Sequence, residues 1–351
     1  MGGNALAAMG AKRVDRDTAF AVADRVSRAI SKIAENNGTH ARCLLIPAYR
    51  EKPDFGDLDF VLDNSLYQHV SRDKLVSGLE EIFESPLPNI KNGPVHSVGI
   101  PLQSGGFLQV DLIGMAPETV QAAVDYFSWN DLGNLVGRIA HKMGLKYGHD
   151  GLSIVLRDGT HQFDSISVSR NTDAILSFLG YDPVVWNKGF DNREQIYRFV
   201  VDTPFFNKAI YNLDNRNHIA RVREKKRPVY MEFLSWVEQP PFVLNAYQFP
   251  EDKRENLPRL FEAFPGIEAE YNEKWRRLDD SKYLKSRFNA SIVTAVTGVE
   301  GRELGEFMAY FKKRHMSKLE SIRSMSDGDL RSLIEAAKRE MMEPASDPTP
   351  D

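Results

Sequence analysis

The chain has 351 residues, 42% of them hydrophobic and 27% charged, with a formal charge of −4. That composition excludes wholesale disorder and leaves room for two ordinary domains. A single cysteine, Cys43, excludes a disulfide framework within the chain and a cysteine-cluster zinc site. The apolar runs at 41–48 and 291–299 are shorter than the ~18 residues of a membrane span, and no basic region precedes the small apolar stretch at 1–10. A soluble cytoplasmic protein with no membrane partner is expected.

Ala19, Val22, Ala23, Val26, Ile30 and Ile33 recur at helical spacing behind Asp15, Asp17 and Thr18. They predict a helix over 17–34, capped by one of those three and stopped at Asn36-Asn37-Gly38. Apolar runs at 41–46 and 57–62 predict strands, and Leu75, Val76, Leu79, Ile82 and Phe83 predict a helix over 71–84. Strands are expected at 95–100 and 107–113, joined as a hairpin through Gln103-Ser104-Gly105-Gly106. Pro117 suits the first turn of a helix, and another helix runs over 131–143 to Gly144. A strand at 151–156 and a helix at 171–179 closed by Gly180 follow. Beyond Tyr181 the sequence turns helical, aromatic and basic, punctuated at Pro228, Gln239-Pro240-Pro241 and Pro250, with a soft domain boundary near 185–195. No internal repeat is visible, and the Pro-rich stretch at 341–351 is expected to be disordered.

Three aspartates carry the sharpest chemical signal. Asp57 and Asp59 are two apart in a strand-like run, so they share one face while Leu58 and Phe60 point into the core. Asp111 lies in a second run, Phe107-Leu108-Gln109-Val110-Asp111-Leu112-Ile113. Setting the two strands side by side gathers three carboxylates, whose mutual repulsion a divalent cation relieves. Oxygen ligands of this kind suit Mg²⁺ or Mn²⁺, and two such ions can activate a hydroxyl and stabilise a departing pyrophosphate. Ordinary strand-end aspartates paired with Arg or Lys are the alternative reading.

The motifs around these aspartates resemble the family X DNA polymerases, the group of polymerase beta and terminal transferase, within the polymerase-beta superfamily of nucleotidyltransferases. The resemblance runs from Arg13 to about Asp182. Lys12-Arg13-Val14-Asp15-Arg16 resembles the entry to the family's palm. Ile46-Pro47-Ala48-Tyr49-Arg50 followed by Gly56-Asp57-Leu58-Asp59 resembles Gly-Ser-x-x-Arg…Gly-Asp-x-Asp. Val110-Asp111-Leu112-Ile113 resembles the strand of the third carboxylate. Tyr126-Phe127-Ser128-Trp129-Asn130-Asp131-Leu132-Gly133-Asn134 resembles the Tyr-Phe-Thr-Gly-Ser…Asn segment, and Gly144-Leu145-Lys146 also matches.

The resemblance implies that Asp57 and Asp59 bind two metal ions, and that Asp111 binds the catalytic one and orients a primer 3′-hydroxyl. It implies that Arg50, next to the Gly56 motif, neutralises triphosphate charge, and that Tyr126, Phe127 and Ser128 wall the nucleotide sugar. Asp131 would pack beside the base, with Asn134 and Arg138 reaching minor-groove edges; a solvated helix face is the other reading of those last two. Two departures stand out. Pro47 replaces a phosphate-gripping serine and has no N–H to offer. Trp129-Asn130 replaces the Gly-Ser of the sugar segment. No counterpart of the family's N-terminal lyase and fingers domains is expected.

In the C-terminal half, Arg216, Arg221, Arg223, Lys225, Lys226 and Arg227 crowd one stretch against Asp214 and Glu224, with Tyr211, Tyr230, Phe233 and Trp236 nearby. Interleaved cations and aromatics suit phosphate neutralisation and base stacking, and a solvated helix face is the alternative. The segment around Gly298 and Gly301 resembles the C-terminal glycine turn of CCA-adding enzymes and bacterial poly(A) polymerases, where free N–H groups would meet a phosphate.

The expected fold is therefore α/β (α+β): a nucleotidyltransferase palm over 1–150 with a small antiparallel or mixed sheet, and a thumb-like segment over 151–190. A mainly helical nucleic-acid-binding domain over 191–340 and the tail would follow. The expected activity is metal-dependent transfer of a nucleoside monophosphate from an NTP or dNTP to a nucleic-acid 3′-hydroxyl. RNA or tRNA end addition, a silent nucleic-acid-binding protein, and transfer to a protein or small-molecule hydroxyl are the alternatives.

Overall fold

A computed structural model describes residues 5–239, 246–315 and 319–342. The chain forms two compact units, Met1–Ile267 and Glu268–Asp351. In the first, strand β1 (Val14–Asp15) leads into helix α1 (Arg16–Asn36), whose first turn is capped by Asp15 accepting from Thr18 N at 2.8 Å. Strands β2 (Cys43–Leu45), β3 (Asp54–Phe55) and β4 (Asp57–Asp63) follow, then helix α2 (Arg72–Phe83), capped by Ser71. Strands β5 (Asn89–Asn92), β6 (Val95–Pro101) and β7 (Phe107–Met115) complete a five-stranded mixed sheet in the order β2-β4-β7-β6-β5. Its pairings are antiparallel except one, where β4 runs parallel to β7.

The period of two along β4 decides which residues meet which layer. Leu58, Phe60 and Leu62, with Leu108, Val110 and Leu112 of β7, pack into a core with Val22, Val26 and Ile30 of α1 and Leu75 and Leu79 of α2. The intervening residues, Asp57, Asp59 and Val61, face the other way, where Val61 packs against Val120, Ala123 and Val124. Those three belong to helix α3 (Val120–Phe127), which follows a 3₁₀ turn begun by Pro117. The expected elements of this region are all present, with the short pair β1 and β3 and the strand β5 as additions: Asn89-Ile90-Lys91-Asn92 is too polar to register as a strand.

Helix α4 (Leu132–Lys142) then packs on a second sheet of β8 (Leu145–Gly148), β9 (Gly151–Asp158) and β10 (His161–Ser169), antiparallel throughout. Of the residues in β10 only Ile166 is fully buried, so this polar edge strand left no apolar pattern to read. Helix α5 (Thr172–Phe178) ends at Gly180, whose φ of +79° and close neighbours Thr203 and Pro204 both require glycine.

Helices α6 (Pro183–Lys188), α7 (Arg193–Val201), α8 (His218–Lys225), α9 (Pro228–Val237) and α10 (Leu257–Ala263) complete the unit. They belong to the first unit and not to a domain beginning at 191. Tyr197, Phe206, Tyr211, Tyr230 and Phe233 are fully or almost fully buried, and the Tyr211 hydroxyl donates to the Leu135 carbonyl of α4 at 3.3 Å. The aromatics that suggested a base-stacking domain are largely this core. Pro228 opens α9 at its first turn and is not a loop break; residues 240 and 241 lie outside the described residues.

The second unit is helical: α11 (Ile267–Arg287), almost all of it in this unit, then α12 (Ala290–Thr297), α13 (Gly301–His315), α14 (Leu319–Ser324) and α15 (Asp327–Met342). Phe288, Val293, Phe307, Phe311, Leu330 and Ile334 form its core. Met341 and Met342 continue α15, and the rest of the expected disordered tail lies outside the described residues. Among the described residues no helix is long and apolar enough to cross a membrane.

Candidate active site

The parallel pairing of β4 with β7 sets Asp59 directly opposite Asp111, and Asp57 opposite Gln109. Asp57, Asp59 and Asp111 each bring a carboxylate oxygen within 4.8 Å of the other two. Asp111 is 1% exposed. Asp59 Oδ1 and Asp111 Oδ2 are enclosed and have no hydrogen-bond partner among the described residues. Burial and the charges of Asp57 and Asp111 push the Asp59 carboxyl up to about 7. Burial raises Asp111 as well, against the hydrogen bonds it receives from Ser97 and Gln109. Two orphaned oxygens among three crowded carboxylates fit a divalent cation with oxygen ligands.

Asp111 is held in place from behind. Gln109 Nε2 donates to Asp111 Oδ1 at 2.9 Å, and Leu6 N donates to Gln109 Oε1 at 2.9 Å. Both Gln109 and Leu6 are fully buried. The segment that supplies Leu6 is fixed to β7 by Lys12 N donating to the Phe107 carbonyl at 2.9 Å. Gln109 is absent from the sequence-based candidates, although a buried amide two residues before Asp111 on the same strand face was the available signal.

A cavity of about 260 Å³ opens beside Asp57 and Asp59, walled by Phe20, Pro47, Phe127, Trp129 and Asn130 and carrying Arg50 and Lys52. Trp129 and Asn130 have φ of 60° and 64°, two successive left-handed residues without glycine. Trp129 is held there by its N–H on the Pro47 carbonyl at 2.8 Å and by its ring set edge-on to Phe190. Gly56 leaves space for Arg13, whose guanidinium would lie 2.6 Å from a Cβ at that position; Arg13 is in turn paired with Asp54.

No protein-family model and no curated protein matches the chain.

The geometry of the site redistributes the sequence-predicted residues. Arg50 lines the cavity, but its guanidinium is taken by the Asp191 carboxylate and by the carbonyls of Lys188 at 3.0 Å and Gly189 at 3.5 Å. Phe127 walls the cavity as expected, whereas Tyr126 packs edge-on to Tyr147 and does not line it. Ser128 is buried and its hydroxyl donates back to the Val124 carbonyl at 2.6 Å. Asp131 pairs with Arg227, Asn134 donates to Glu224 Oε2 at 3.1 Å, and Arg138 donates to the Ile210 carbonyl at 3.2 Å. Asn134 and Arg138 are thus half-buried and each holds a hydrogen bond within the chain.

The basic stretch is in part committed to a buried carboxylate. Glu224 is fully buried, and Arg216 at 3.4 Å, Arg223 at 2.7 Å and Arg227 at 3.7 Å converge on its carboxylate. Arg216 is itself buried, and Arg221 donates to the Arg216 carbonyl at 3.3 Å. A buried carboxylate without cations costs several kcal/mol, so these arginines answer a structural demand. Arg223, Lys225 and Lys226 are exposed. Gly298 and Gly301 belong to the second unit: Gly298 closes α12 at φ +68°, with its N–H on the Thr294 carbonyl, and Gly301 opens α13.

Proposed function

We propose that the chain is a metal-dependent nucleotidyltransferase of the polymerase-beta type, with the five-stranded sheet as its palm. It would transfer a nucleoside monophosphate from an NTP or dNTP to a hydroxyl with release of pyrophosphate. The observation that carries this reading is the Asp57–Asp59–Asp111 cluster on adjacent parallel strands, with two enclosed carboxylate oxygens left unpaired beside a cavity. Mg²⁺ or Mn²⁺, two per site, would be held by Asp57, Asp59 and Asp111. Bound there, such ions supply charge neutralisation for the phosphates and lower the pKa of an attacking hydroxyl.

The chain's own residues then have distinct tasks. Phe127, Trp129 and Asn130 shape the wall against which a nucleotide would rest. Gln109, anchored by Leu6, fixes the plane of the Asp111 carboxylate so that Oδ2 faces the reacting centre. Apolar walls exclude water from the phosphates and strengthen each charge contact.

A nucleic-acid 3′ end is the proposed acceptor, with the exposed Lys225 and Lys226 as backbone contacts. The pairing of Arg216, Arg223 and Arg227 with Glu224 favours a second reading, transfer to a protein or small-molecule hydroxyl, because it commits part of the charge that argued for nucleic acid. The deciding experiment incubates the purified chain with Mg²⁺ or Mn²⁺ and each labelled NTP and dNTP. DNA, RNA, the chain itself and small hydroxyl acceptors are supplied separately. Label transferred to none of them, or transferred equally by Asp57→Ala, contradicts the reading.

A further inference from the structure

Two cationic side chains line the cavity beside the carboxylates, and they are committed to different degrees. Arg50 has its guanidinium on one carboxylate and two carbonyls, at Asp191, Lys188 and Gly189. Its backbone is fixed as well: Arg50 N donates to the Phe190 carbonyl at 2.9 Å, and Glu51 N donates to the Asp191 carbonyl at 2.7 Å. Turning this side chain toward a phosphate would break a charge-assisted bond and strip donors from two carbonyls.

Lys52 is in the opposite situation. Among the described residues it makes no ion pair and no side-chain hydrogen bond. Its ammonium rests 4.3 Å from the centre of the Phe55 ring, in the field of Asp57 and Asp59. Its backbone is anchored by Lys52 N donating to the Tyr49 carbonyl at 3.1 Å, so only the four-carbon stem is free to move. Pro47, which lines the same cavity, has no N–H to offer a phosphate.

A polyphosphate brought beside three carboxylates adds negative charge to a negative site, and even with divalent ions present a further cation within reach is favourable. A compact ammonium on a flexible stem can follow a phosphate group as it moves. We propose that Lys52 is the phosphate-binding cation of this site, and that Arg50 instead ties the 188–191 loop to the cavity wall. The ligand class is a polyphosphate chain, and its identification as the nucleotide's triphosphate rests on the nucleotidyl-transfer reading. Before a polyphosphate arrives, Lys52 offsets part of the repulsion between Asp57 and Asp59, so its removal should not weaken binding of a bare cation.

The test uses tripolyphosphate with Mn²⁺ as probe, titrated calorimetrically into the full chain, with Mn²⁺ alone followed by electron paramagnetic resonance. Lys52→Gln should weaken tripolyphosphate binding by about tenfold to a hundredfold, the loss expected for one charge-assisted contact. Lys52→Arg should recover most of that loss, and Mn²⁺ alone should bind Lys52→Gln at least as tightly as the parent. Equal tripolyphosphate affinity in parent and Lys52→Gln overturns the assignment. So does a loss confined to Arg50→Gln, or a parent that does not bind the probe. A parent that binds tripolyphosphate through Lys52 yet transfers no nucleotide to any acceptor leaves the phosphate site standing and removes the nucleotidyl-transfer reading alone.

Discussion

Gln109 and Asp111 lie two apart on one face of β7, and the amide of the first donates to the carboxylate of the second at 2.9 Å. Gln109→Leu removes that donor and leaves Asp111 Oδ1 without it. Loss of such an orienting partner costs about tenfold to a hundredfold in metal affinity. Mn²⁺ titration and turnover should fall together in Gln109→Leu, while Gln109→Asn, whose shorter amide cannot span the same gap, should behave like the leucine variant. Unchanged Mn²⁺ affinity in both variants would separate Gln109 from the site.

The crowded carboxylates make stability depend on pH in a defined direction. The Asp59 carboxyl titrates at about 7 in the folded chain, against an ordinary value of 3.8. Between about pH 4 and pH 7 the unfolded chain has released this proton and the folded chain still holds it, so stability falls as pH rises through that window and levels off above it. Asp111 is shifted in the same direction. Burial pushes His96 and His141 down to about 4, which works in the opposite direction, so the test is the comparison with Asp59→Asn: without divalent ions that variant should gain melting temperature over the parent at pH 8 and not at pH 5. Mg²⁺ or Mn²⁺ should raise the value at pH 8 more than at pH 5, because only the ionised site binds them. A melting temperature that rises from pH 5 to pH 8 in the parent and not in Asp59→Asn has the wrong sign for this account.

Glu224 should behave as a keystone for the α8–α9 region. Breaking a buried ion pair by removing one partner costs about 3–5 kcal/mol, and Glu224→Ala strands Arg216, which is itself buried. Chemical denaturation should show a loss of that order. Replacing the exposed Lys225 and Lys226 by alanine should leave stability within experimental error.

The same two lysines carry the nucleic-acid prediction. If they contact an acceptor backbone, Lys225→Ala with Lys226→Ala should flatten the slope of log K against log salt by about 0.7–0.9 per lost contact. Affinity should drop alike for all sequences, since phosphate contacts carry no base information. A double variant with the parent's slope on both DNA and RNA leaves the protein or small-molecule acceptor as the stronger reading.

Much of the first unit was legible because its signals are local. Alternation over 57–62 gave the shared face of Asp57 and Asp59, and helical spacing gave α1 and its cap region. The polar edge strands β5 and β10 were not legible, since a strand that buries little carries no apolar period. The basic stretch misled for a different reason. A run of arginines looks the same whether it faces phosphate or a buried Glu224, and only the long-range packing of α8 against α4 and α9 separates the two. Lys52 gave no pattern at all, because its importance arises from what Arg50 is already doing.

β5 bounds the five-stranded sheet on one side and, among the described residues, pairs only with β6. Such an edge offers a row of open backbone groups to any passing strand, which is how folded proteins recruit one another into aggregates. Here the edge is Asn89-Ile90-Lys91-Asn92, mostly exposed, with Lys91 tied to Asp73 on α2. A second chain docking there would have to bury a lysine and two asparagines, and would gain contact with one isoleucine. The residues that hid β5 from sequence reading are thus the ones that make this edge of the sheet a poor template for a second chain.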